Sequence, residues 1–254
     1  MTTINIIGAG NVALHLAKAI KDQAIYKLQS IAGRSENALI HYKELQTSYC
    51  SIDELSEANI TLIAVSDNGI KEVSAKIPYD TGMFAHTSGS VALEVLSRFE
   101  HYGVFYPLQS FSKEDSISFS EIPICLEVAQ EDDKEVLENL AFSLSNKVTQ
   151  ISSAERAQLH LAAVFVNNFA NHCFTMGQTL CEKHDLSFDL LKPLISKTVD
   201  KAILSDPALS QTGPAKRNDT QTIASHLDML EDSNYKDVYT TISKAITSYY
   251  GKKL

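Results

Sequence analysis

The 254-residue sequence has no long hydrophobic run, few cysteines and no excess of positive charge. No apolar stretch reaches the roughly 18 residues that a membrane-spanning helix needs. The chain starts without a cationic leader and enters an apolar strand pattern at once. Its four cysteines form no CxxC pair and no metal-binding spacing, so we interpret them as free thiols. These absences favour a cytoplasmic protein and predict no metal site.

The charge balance limits the partners as well. Lys and Arg total 22 against 31 Asp and Glu, which gives a net charge of -9. A negative field repels nucleic acid and anionic membrane surfaces, and no local basic patch of useful size offsets it. We therefore expect small molecules or other subunits as partners, with no nucleic acid and no membrane.

The length suits two domains, and the hydrophobic pattern changes near residue 150. Over residues 1–150, β-rich runs alternate with amphipathic helical stretches, which is typical of a parallel sheet with crossover helices. The predicted strands are "TINIIG", "KLQSIAG", "ITLIAVS", "GMFAHTS", "HYGVFYP", "PICLEVA" and "NKVTQIS". From Ser153 onward, apolar residues recur at helical spacing, first over about 30 residues without proline. Further helical patterns cover residues 187–205, 220–230 and 234–249. We predict an α/β fold with a mostly parallel sheet in residues 1–150 and an all-helical domain in residues 151–254.

A glycine-rich turn separates the first strand from the first helix. In "IIGAGNVA", Gly8, Gly10 and Ala13 match the GxGxxG/A fingerprint of dinucleotide-binding proteins. Gly8 permits the tight turn, Gly10 lets a pyrophosphate approach the backbone, and Ala13 lets helix and strand pack closely. The helix start at Asn11 and Val12 offers free N–H groups to the anion. The alternative is a glycine-rich turn without a ligand, but strand, glycines and helix together favour a Rossmann-type domain.

The end of the second strand indicates which dinucleotide is bound. An NAD site usually carries an acid there, about 20 residues past the glycines, which accepts from the ribose 2′-hydroxyl. The segment "IAGRSENA" instead places Arg34 and Ser35 there, a cation and a hydroxyl that suit a 2′-phosphate. We therefore predict NADP as the cofactor. The alternatives are that Glu36 binds the ribose and that Arg34 is a solvated loop charge.

Polar residues also follow the next strands, whose carboxyl ends form the ligand side of an open α/β sheet. Val65, Ser66 and Asp67 are predicted to lie beside the cofactor ribose and nicotinamide. Helix capping alone is an equally good explanation of Asp67.

The segments "FAHTSGS" and "FYPLQSFS" are predicted to face the nicotinamide end of the same cleft. We assign Thr87 to cofactor binding. His86 can exchange a proton near neutral pH and Ser88 can hold a carboxylate or carbonyl oxygen, so we predict both as catalytic. Gln109, with Ser110, offers polar groups to the substrate. The alternatives are that His86 bonds to backbone, that Ser88 caps a helix, and that the second segment is a plain crossover loop.

Polar residues interrupt the apolar pattern of the long helix at His160, Asn167, Asn168, Asn171 and His172. Buried amides lower stability unless they are paired, so these residues either face water or converge on a site. His160 and Asn168 lie about two turns apart on one helix face, and we predict both as catalytic. The alternative is hydrogen bonding between helices or at a dimer interface.

Six segments together carry a resemblance: "IIGAGNVA", "AGRS", "HTSGS", "FYPLQSFS", "HLAAVFVNNFANH" and "TGPAKRND". They resemble bacterial Rossmann-like NADP oxidoreductases with a C-terminal domain of unknown function. That family is similar to pyrroline-5-carboxylate reductase and to deazaflavin-dependent NADP reductases. Its helical, dimer-forming second domain is of the 6-phosphogluconate-dehydrogenase C-terminal type. The resemblance covers essentially the whole chain and implies a homodimer with a cleft between its two domains.

The resemblance further implies that "TGPAKRND" folds back toward the nicotinamide pocket. Lys216 and Arg217 would then hold an anionic group of the substrate, with a turn at Gly213-Pro214 and Asp219 capping the next helix. A helix connection with solvated cations is the alternative.

One departure from the pattern of related enzymes reduces the number of reactions that the protein is expected to catalyse. If Asn168 matches the asparagine of related β-hydroxyacid dehydrogenases, Val164 stands where those enzymes carry a lysine. Imine reduction depends less on such a group, since it needs mainly hydride alignment and binding of the acid group. We therefore predict an NADP-dependent oxidoreductase that transfers a hydride to a small anionic imino or keto substrate. The alternative is a sensor or scaffold that binds NADP without turnover.

Overall fold

The computed structural model describes residues 1–33, 42 and 45–251. The chain forms two compact units, Met1–Asn168 and Phe169–Leu254. The last strand ends at Gln150, but the first unit continues into the helix that follows. The domain boundary at residue 150 stays a prediction.

In the described part of the chain, the first unit contains an eight-stranded sheet with the order β3-β2-β1-β4-β5-β6-β7-β8. Its strands are β1 Thr2–Ile7, β2 Tyr26–Ala32, β3 Ser48–Cys50, β4 Ile60–Ile63, β5 Met83–His86, β6 Tyr102–Pro107, β7 Ile124–Val128 and β8 Val148–Gln150. The strands pair in parallel except β6 with β7. The predicted Rossmann-type, mostly parallel sheet is confirmed. Each predicted strand segment contains a strand, whereas the three-residue β3 was not predicted.

Among the described residues, the α-helices that accompany this sheet are α1 Asn11–Lys21, α2 Asp67–Lys76 and α3 Lys134–Leu144. The central strands are buried on both faces, which explains why they are apolar without alternation. Ile6 and Ile7 are neighbours in β1 yet belong to different core clusters, since successive strand residues point to opposite faces. Ile6 shares its cluster with residues of α1, and Ile7 shares its cluster with residues of α2.

Helix α4, Ser153–Ala163, begins with a capping box in which Ser152 and Glu155 exchange side-chain and backbone hydrogen bonds. The residues that follow, Val164–Phe169, form a π-helix. Sequence periodicity predicted an ordinary helix there. Each wider turn of a π-helix leaves backbone and side chains in unusual positions, and such turns occur often at functional sites.

The described residues of the second unit form helices joined by turns and loops, with no strand, as predicted. Its helices are α5 Ala170–Lys183, α6 Lys192–Leu204, α7 Pro207–Ser210, α8 Thr220–Met229 and α9 Ser233–Tyr250. Within the residues that the structure describes, no helix is both long enough and apolar enough to cross a membrane.

Candidate functional site

The glycine-rich turn between β1 and α1 requires a glycine at position 8. Gly8 has a φ of +140°, a conformation that side chains with a Cβ rarely adopt. A Cβ built there would lie 2.1 Å from the carbonyl oxygen of Ala64. The Gly8 N–H donates to the carbonyl oxygen of Ala32 at 2.8 Å, which joins the turn to β2. The fold itself therefore explains Gly8.

Gly10 differs, because the fold does not require a glycine there. Its φ is -84°, and a Cβ at this position would have no atom of the described residues within 4 Å. Gly10 is the N-cap of α1, so it has no side chain that could satisfy the first N–H groups of the helix. The first turn of α1 also carries no acidic residue. An open space above free N–H groups and a positive helix end fits a pyrophosphate.

A cavity of about 750 Å³ extends from this turn along the carboxyl ends of the strands, wholly within the first unit. Many of the predicted site residues line it: Gly8, Gly10, Asn11, Val12, Val65, Ser66, Asp67, Thr87, Ser88, Gln109 and His160. Sequence reasoning missed Tyr106 and Phe111, which also line it. Both belong to the segment "FYPLQSFS", in which aromatic residues are equally typical of packing in the core.

One end of the cavity is apolar and lined by Gly33, Ile52 and Val73. The hydroxyl of the buried Tyr42 donates to the carbonyl oxygen of Gly10 at 3.3 Å. Arg34 and Ser35, which we predict to bind the 2′-phosphate, follow Gly33 directly but lie outside the described residues. Their role remains a prediction.

The loop after β6 is tied to the start of α1. The amide nitrogen of Asn11 donates to the carbonyl oxygen of Phe111 at 2.6 Å, and Nε2 of His15 donates to that of Ser112 at 2.7 Å. Asn11, which we predict to bind the cofactor, lines the cavity, and its side-chain amide also holds this loop in place. Phe111 is thereby fixed as a wall of the cavity beside the glycine turn.

The segment "HTSGS" begins at His86, the last residue of β5, and His86 is fully buried. The Ser88 N–H donates to Nδ1 of His86 at 3.2 Å, so this histidine bonds to backbone, which is the alternative raised from sequence. Burial, followed by the charge of Arg156, lowers the pKa of His86 to about 4. His86 is therefore neutral at physiological pH. Its predicted catalytic role remains untested.

The hydroxyl of Ser88 caps the turn that follows it. It accepts from the backbone N–H groups of Ser90 and Val91, both at 3.1 Å. The Ser90 hydroxyl in turn donates to the Asp67 carboxylate at 2.5 Å, which links this turn to the start of α2. Ser88 thus caps a turn and not a helix, and Asp67 does not cap α2, whose N-cap is Ser66 without a side-chain hydrogen bond. Both Ser88 and Asp67 line the cavity.

Tyr106 and His160 meet at the opposite end of the cavity from Gly33. The Tyr106 hydroxyl lies 3.0 Å from Nδ1 of His160. Burial, together with Cys125, raises the pKa of Tyr106 to about 12. Gly89 packs against both rings, because a Cβ there would lie 2.6 Å from Nδ1 of His160 and 2.7 Å from Cζ of Tyr106.

A buried arginine positions the helix that carries His160. Arg156 is 1% exposed and forms an ion pair with the Glu127 carboxylate of β7. It also donates to the carbonyl oxygen of Val91 and to the Ser153 hydroxyl. The backbone N–H and the hydroxyl of Ser153 each donate to Glu127 at 2.7 Å. The first turn of α4 is therefore fixed to β7 by several charged hydrogen bonds.

A second cavity of about 470 Å³, also within the first unit, shares Tyr106, Gln109 and His160 with the first. The rest of its lining is aliphatic or neutral polar: Leu108, Ser110, Leu159, Ala162, Ala163, Val164, Val166, Asn167 and Asn168. The predicted pair of His160 and Asn168 thus lines one cavity. The π-helix supplies Val164 and both asparagines to this wall.

The predicted substrate loop lies in the second unit and is anchored there. Thr247 of α9 donates to the carbonyl oxygen of Ala215 at 3.0 Å, and the Lys216 ammonium donates to that of Gln211 at 2.8 Å. Asp219 caps α8, as the resemblance implied, and accepts from the Thr222 N–H at 3.0 Å. Arg217 is 65% exposed and 3.9 Å from Asp219. Substrate binding by Lys216 and Arg217 remains a prediction.

Comparisons with known proteins agree with the sheet and the helical unit. Residues 122–246 match the family described as "Domain of unknown function (DUF2520)". No curated protein matches the chain. Among solved structures, the putative NADP oxidoreductase BF3122 from Bacteroides fragilis has 34% sequence identity and a TM-score of 0.91, over 97% of this chain and 98% of that one.

Two further structures are more distant. Protein TM1727 from Thermotoga maritima has 20% identity and a TM-score of 0.72, over 98% of this chain and 99% of that one. An imine reductase from Myxococcus stipitatus in complex with NADP+ has 14% identity and a TM-score of 0.62, over 98% and 93%. At these identities the likeness shows the fold alone.

The dinucleotide-type turn and the sheet define the class as a Rossmann-type protein with a helical C-terminal part. The chain belongs to the same family as the Bacteroides fragilis protein, the Rossmann-type NADP oxidoreductases with a C-terminal domain of unknown function. The resemblance stated from the sequence motifs is confirmed.

Proposed function

We propose that the protein is an NADP-dependent oxidoreductase that transfers a hydride between the nicotinamide ring and a small C=O or C=N substrate. One observation carries this proposal. The cavity passes Gly10, where a Cβ would meet open space, and reaches Tyr106 and His160. Among the described residues, they are the only pair on its lining in which a tyrosine hydroxyl contacts a histidine ring nitrogen. Family membership supports the same cofactor.

Different residues of the chain would bind different parts of the cofactor. The turn at Gly8 and Gly10 and the N–H groups of α1 would hold the pyrophosphate, and Arg34 with Ser35 the 2′-phosphate. Val65, Ser66, Asp67 and Thr87 would border the ribose and nicotinamide, with Phe111 as the facing wall. When bound, the reduced cofactor supplies the hydride. The protein contributes alignment, exclusion of water and a proton.

The second cavity would hold the substrate. Its aliphatic lining suits a small carbon skeleton, and Gln109 and Asn168 offer amide groups that can orient a carbonyl or imine. His160 and Asn168 keep their assignment as catalytic residues, with Ser88 at the edge of the cofactor cavity. His86 is the weakest member of the catalytic set, because it is buried and does not line either cavity.

We propose further that an anionic group of the substrate pairs with Arg217. The Lys216 ammonium is already bonded to Gln211 and lies 5.1 Å from the centre of the Tyr250 ring. The guanidinium of Arg217 is mostly exposed, and its carboxylate neighbour Asp219 is at the limit of an ion pair. Arg217 therefore has donors available for a carboxylate or phosphate.

We also propose that the protein is a homodimer. Large apolar side chains of the helices are mostly exposed in the single chain, among them Leu190, Leu194, Ile203 and Leu204. In the described residues of the second unit, Ala215 is the one residue that is buried. Exposed apolar surface of this extent marks an interaction surface, and a symmetric pair of copies is the commonest way to cover it.

The direct test of the proposed function is NADPH oxidation with a panel of keto acids, neutral ketones, aldehydes and cyclic imines. Fluorescence titration first measures NADPH affinity, and absorbance then follows loss of NADPH with each compound. We expect tight NADPH binding and turnover with at least one carbonyl or imine class. Intact affinity without turnover across the panel would favour a sensor or scaffold, and absent affinity would contradict the proposal altogether.

A further inference from the structure

Three residues line both the cofactor cavity and the second cavity, and only two of them can exchange a proton. These residues are Tyr106, Gln109 and His160. A glutamine amide is neither an acid nor a base at physiological pH. The proton that accompanies hydride transfer at this junction must therefore come from Tyr106, from His160, or from water.

The two candidates do not act independently. Nδ1 of His160 lies 3.0 Å from the Tyr106 hydroxyl, so this nitrogen is already engaged. The backbone of Gly89 closes the same side of the pair, because a Cβ there would lie 2.6 Å from Nδ1. The Tyr106 hydroxyl and Gly89 thus restrict access to Nδ1, whereas Tyr106 itself lines both cavities.

We propose that Tyr106 is the proton donor of the reduction and that His160 returns a proton to it. This inference rests on the proposed function and adds to it a catalytic residue that neither the motifs nor the family resemblance assigns. Tyr106 is the penultimate residue of β6, a rigid strand of the sheet. Its hydroxyl therefore has a fixed position at the junction of the cavities.

The proton and electrons balance in a simple way. As the substrate carbon gains the hydride, the π electrons of the C=O or C=N bond move to the oxygen or nitrogen, which takes the hydroxyl proton of Tyr106. The phenolate left behind then takes the Nδ1 proton of His160, and Nε2 of His160 takes up one proton from the solvent. The net change is one hydride and one proton added to the substrate.

The surroundings of Tyr106 suit this role. Burial, aided by Cys125, raises its pKa to about 12, so the hydroxyl keeps its proton at neutral pH. An alkoxide is a stronger base than a phenolate. Transfer of the Tyr106 proton to a substrate oxygen that gains negative charge during carbonyl reduction is therefore favourable.

The test is Tyr106→Phe, which removes one oxygen and keeps the ring. We expect kcat to fall about 100-fold or more, the usual range for loss of a general acid, with NADPH affinity unchanged within about twofold. Tyr102→Phe is the matched control, because Tyr102 lies on the same strand and lines neither cavity. We expect it to keep wild-type kcat. A Tyr106→Phe variant with wild-type kcat would overturn the proposal.

Two further measurements keep the test decisive. In ¹⁵N NMR spectra of the protein without cofactor, Tyr106→Phe should shift the Nδ1 signal of His160, and an unchanged signal would overturn the pairing. Gly89→Ala keeps both functional groups but displaces them, so it should also lower kcat, and a wild-type kcat in this variant would count against the pairing. If the wild-type protein binds NADPH but reduces nothing, the proposed function fails; if it turns over and the tyrosine variant does too, only this inference fails.

Discussion

Arg156 forms a buried ion pair with Glu127 one helical turn before His160. Arg156 belongs to α4 and Glu127 to β7, so this pair fixes the helix that carries the candidate catalytic histidine. The arginine has almost no contact with water, since 1% of its side chain is exposed. Its charge therefore depends on the carboxylate for compensation.

Glu127→Gln should destabilise the protein and disturb the site at once. Removal of the carboxylate charge leaves a buried guanidinium without its counter-ion, which costs about 3 kcal/mol of unfolding free energy. Urea unfolding followed by circular dichroism measures this cost. Glu121→Gln is the control, because Glu121 pairs with Lys147 on the surface, and it should unfold close to wild type. Equal urea midpoints for the two variants would show that the buried pair contributes nothing.

Gly10→Ala should abolish tight NADPH binding without unfolding the protein. The backbone at Gly10 is compatible with alanine, and its Cβ would occupy the open space that we assign to the pyrophosphate. We expect the Kd for NADPH, measured by fluorescence titration, to rise at least about tenfold, which corresponds to about 1.4 kcal/mol. In Gly177→Ala, whose Cβ would also meet open space, the Kd should stay at the wild-type value. Wild-type affinity in Gly10→Ala would place the pyrophosphate elsewhere.

Arg34→Asp should discriminate between the two nicotinamide cofactors. The guanidinium that we predict to pair with the 2′-phosphate would be replaced by a repelling carboxylate, which NADH tolerates and NADPH does not. Calorimetric titration with each cofactor should show a large loss of affinity for NADPH and a small change of affinity for NADH. Lys71→Asp, on the exposed face of α2, makes the same change of net charge and should alter neither the affinity for NADPH nor that for NADH. Equal losses for both cofactors would remove the argument for NADP specificity.

Arg217→Ala should weaken binding of the substrate and leave binding of the cofactor unchanged. If the guanidinium holds an anionic group, its loss should raise KM several-fold while the Kd for NADPH is unchanged. Lys192→Ala removes another exposed cation of the second unit, one already paired with Asp189, and serves as the control in steady-state kinetics. Identical KM values for the Arg217 variant and wild type would return the loop to a purely structural role.

His86 should make the protein less stable in mild acid. The unfolded chain binds a proton at the ordinary pKa of 6.5, whereas the folded protein binds it only at a pKa of about 4. Between these values the unfolded state holds more protons, so stability falls as pH decreases from about 6.5 to about 4, by about 3 kcal/mol at most. His86→Asn can keep an acceptor for the Ser88 N–H and cannot titrate. It should lose this part of the pH dependence in urea unfolding, while His184→Asn should retain it.

The sequence predicted the parts of the fold that local chemistry determines. Gly8 and Gly10 between an apolar strand and an amphipathic helix identify the Rossmann turn, because few other structures need that spacing. Strand β3 escaped prediction because its three residues carry no periodicity. The π-helix at Val164–Phe169 escaped it because one wide turn leaves the hydrophobic pattern nearly helical.

The site was harder to predict than the fold, since its groups come from distant parts of the chain. Tyr106 and His160 are 54 residues apart and meet only through sheet order and the ion pair of Arg156 with Glu127. Sequence alone also cannot tell that His86 lies beneath the cavity surface while Thr87 beside it lines the cavity. The neighbouring positions look equally polar, and only tertiary packing separates them.

A crystal structure of the protein with bound NADPH tests the central claim most directly. We expect the pyrophosphate against Gly10 and the start of α1, and the nicotinamide ring beside Tyr106 and His160. Its C4 atom should leave room for a substrate carbon about 3–3.5 Å away in the second cavity. A dinucleotide bound outside the cavity, or with its nicotinamide ring far from Tyr106, would contradict the account.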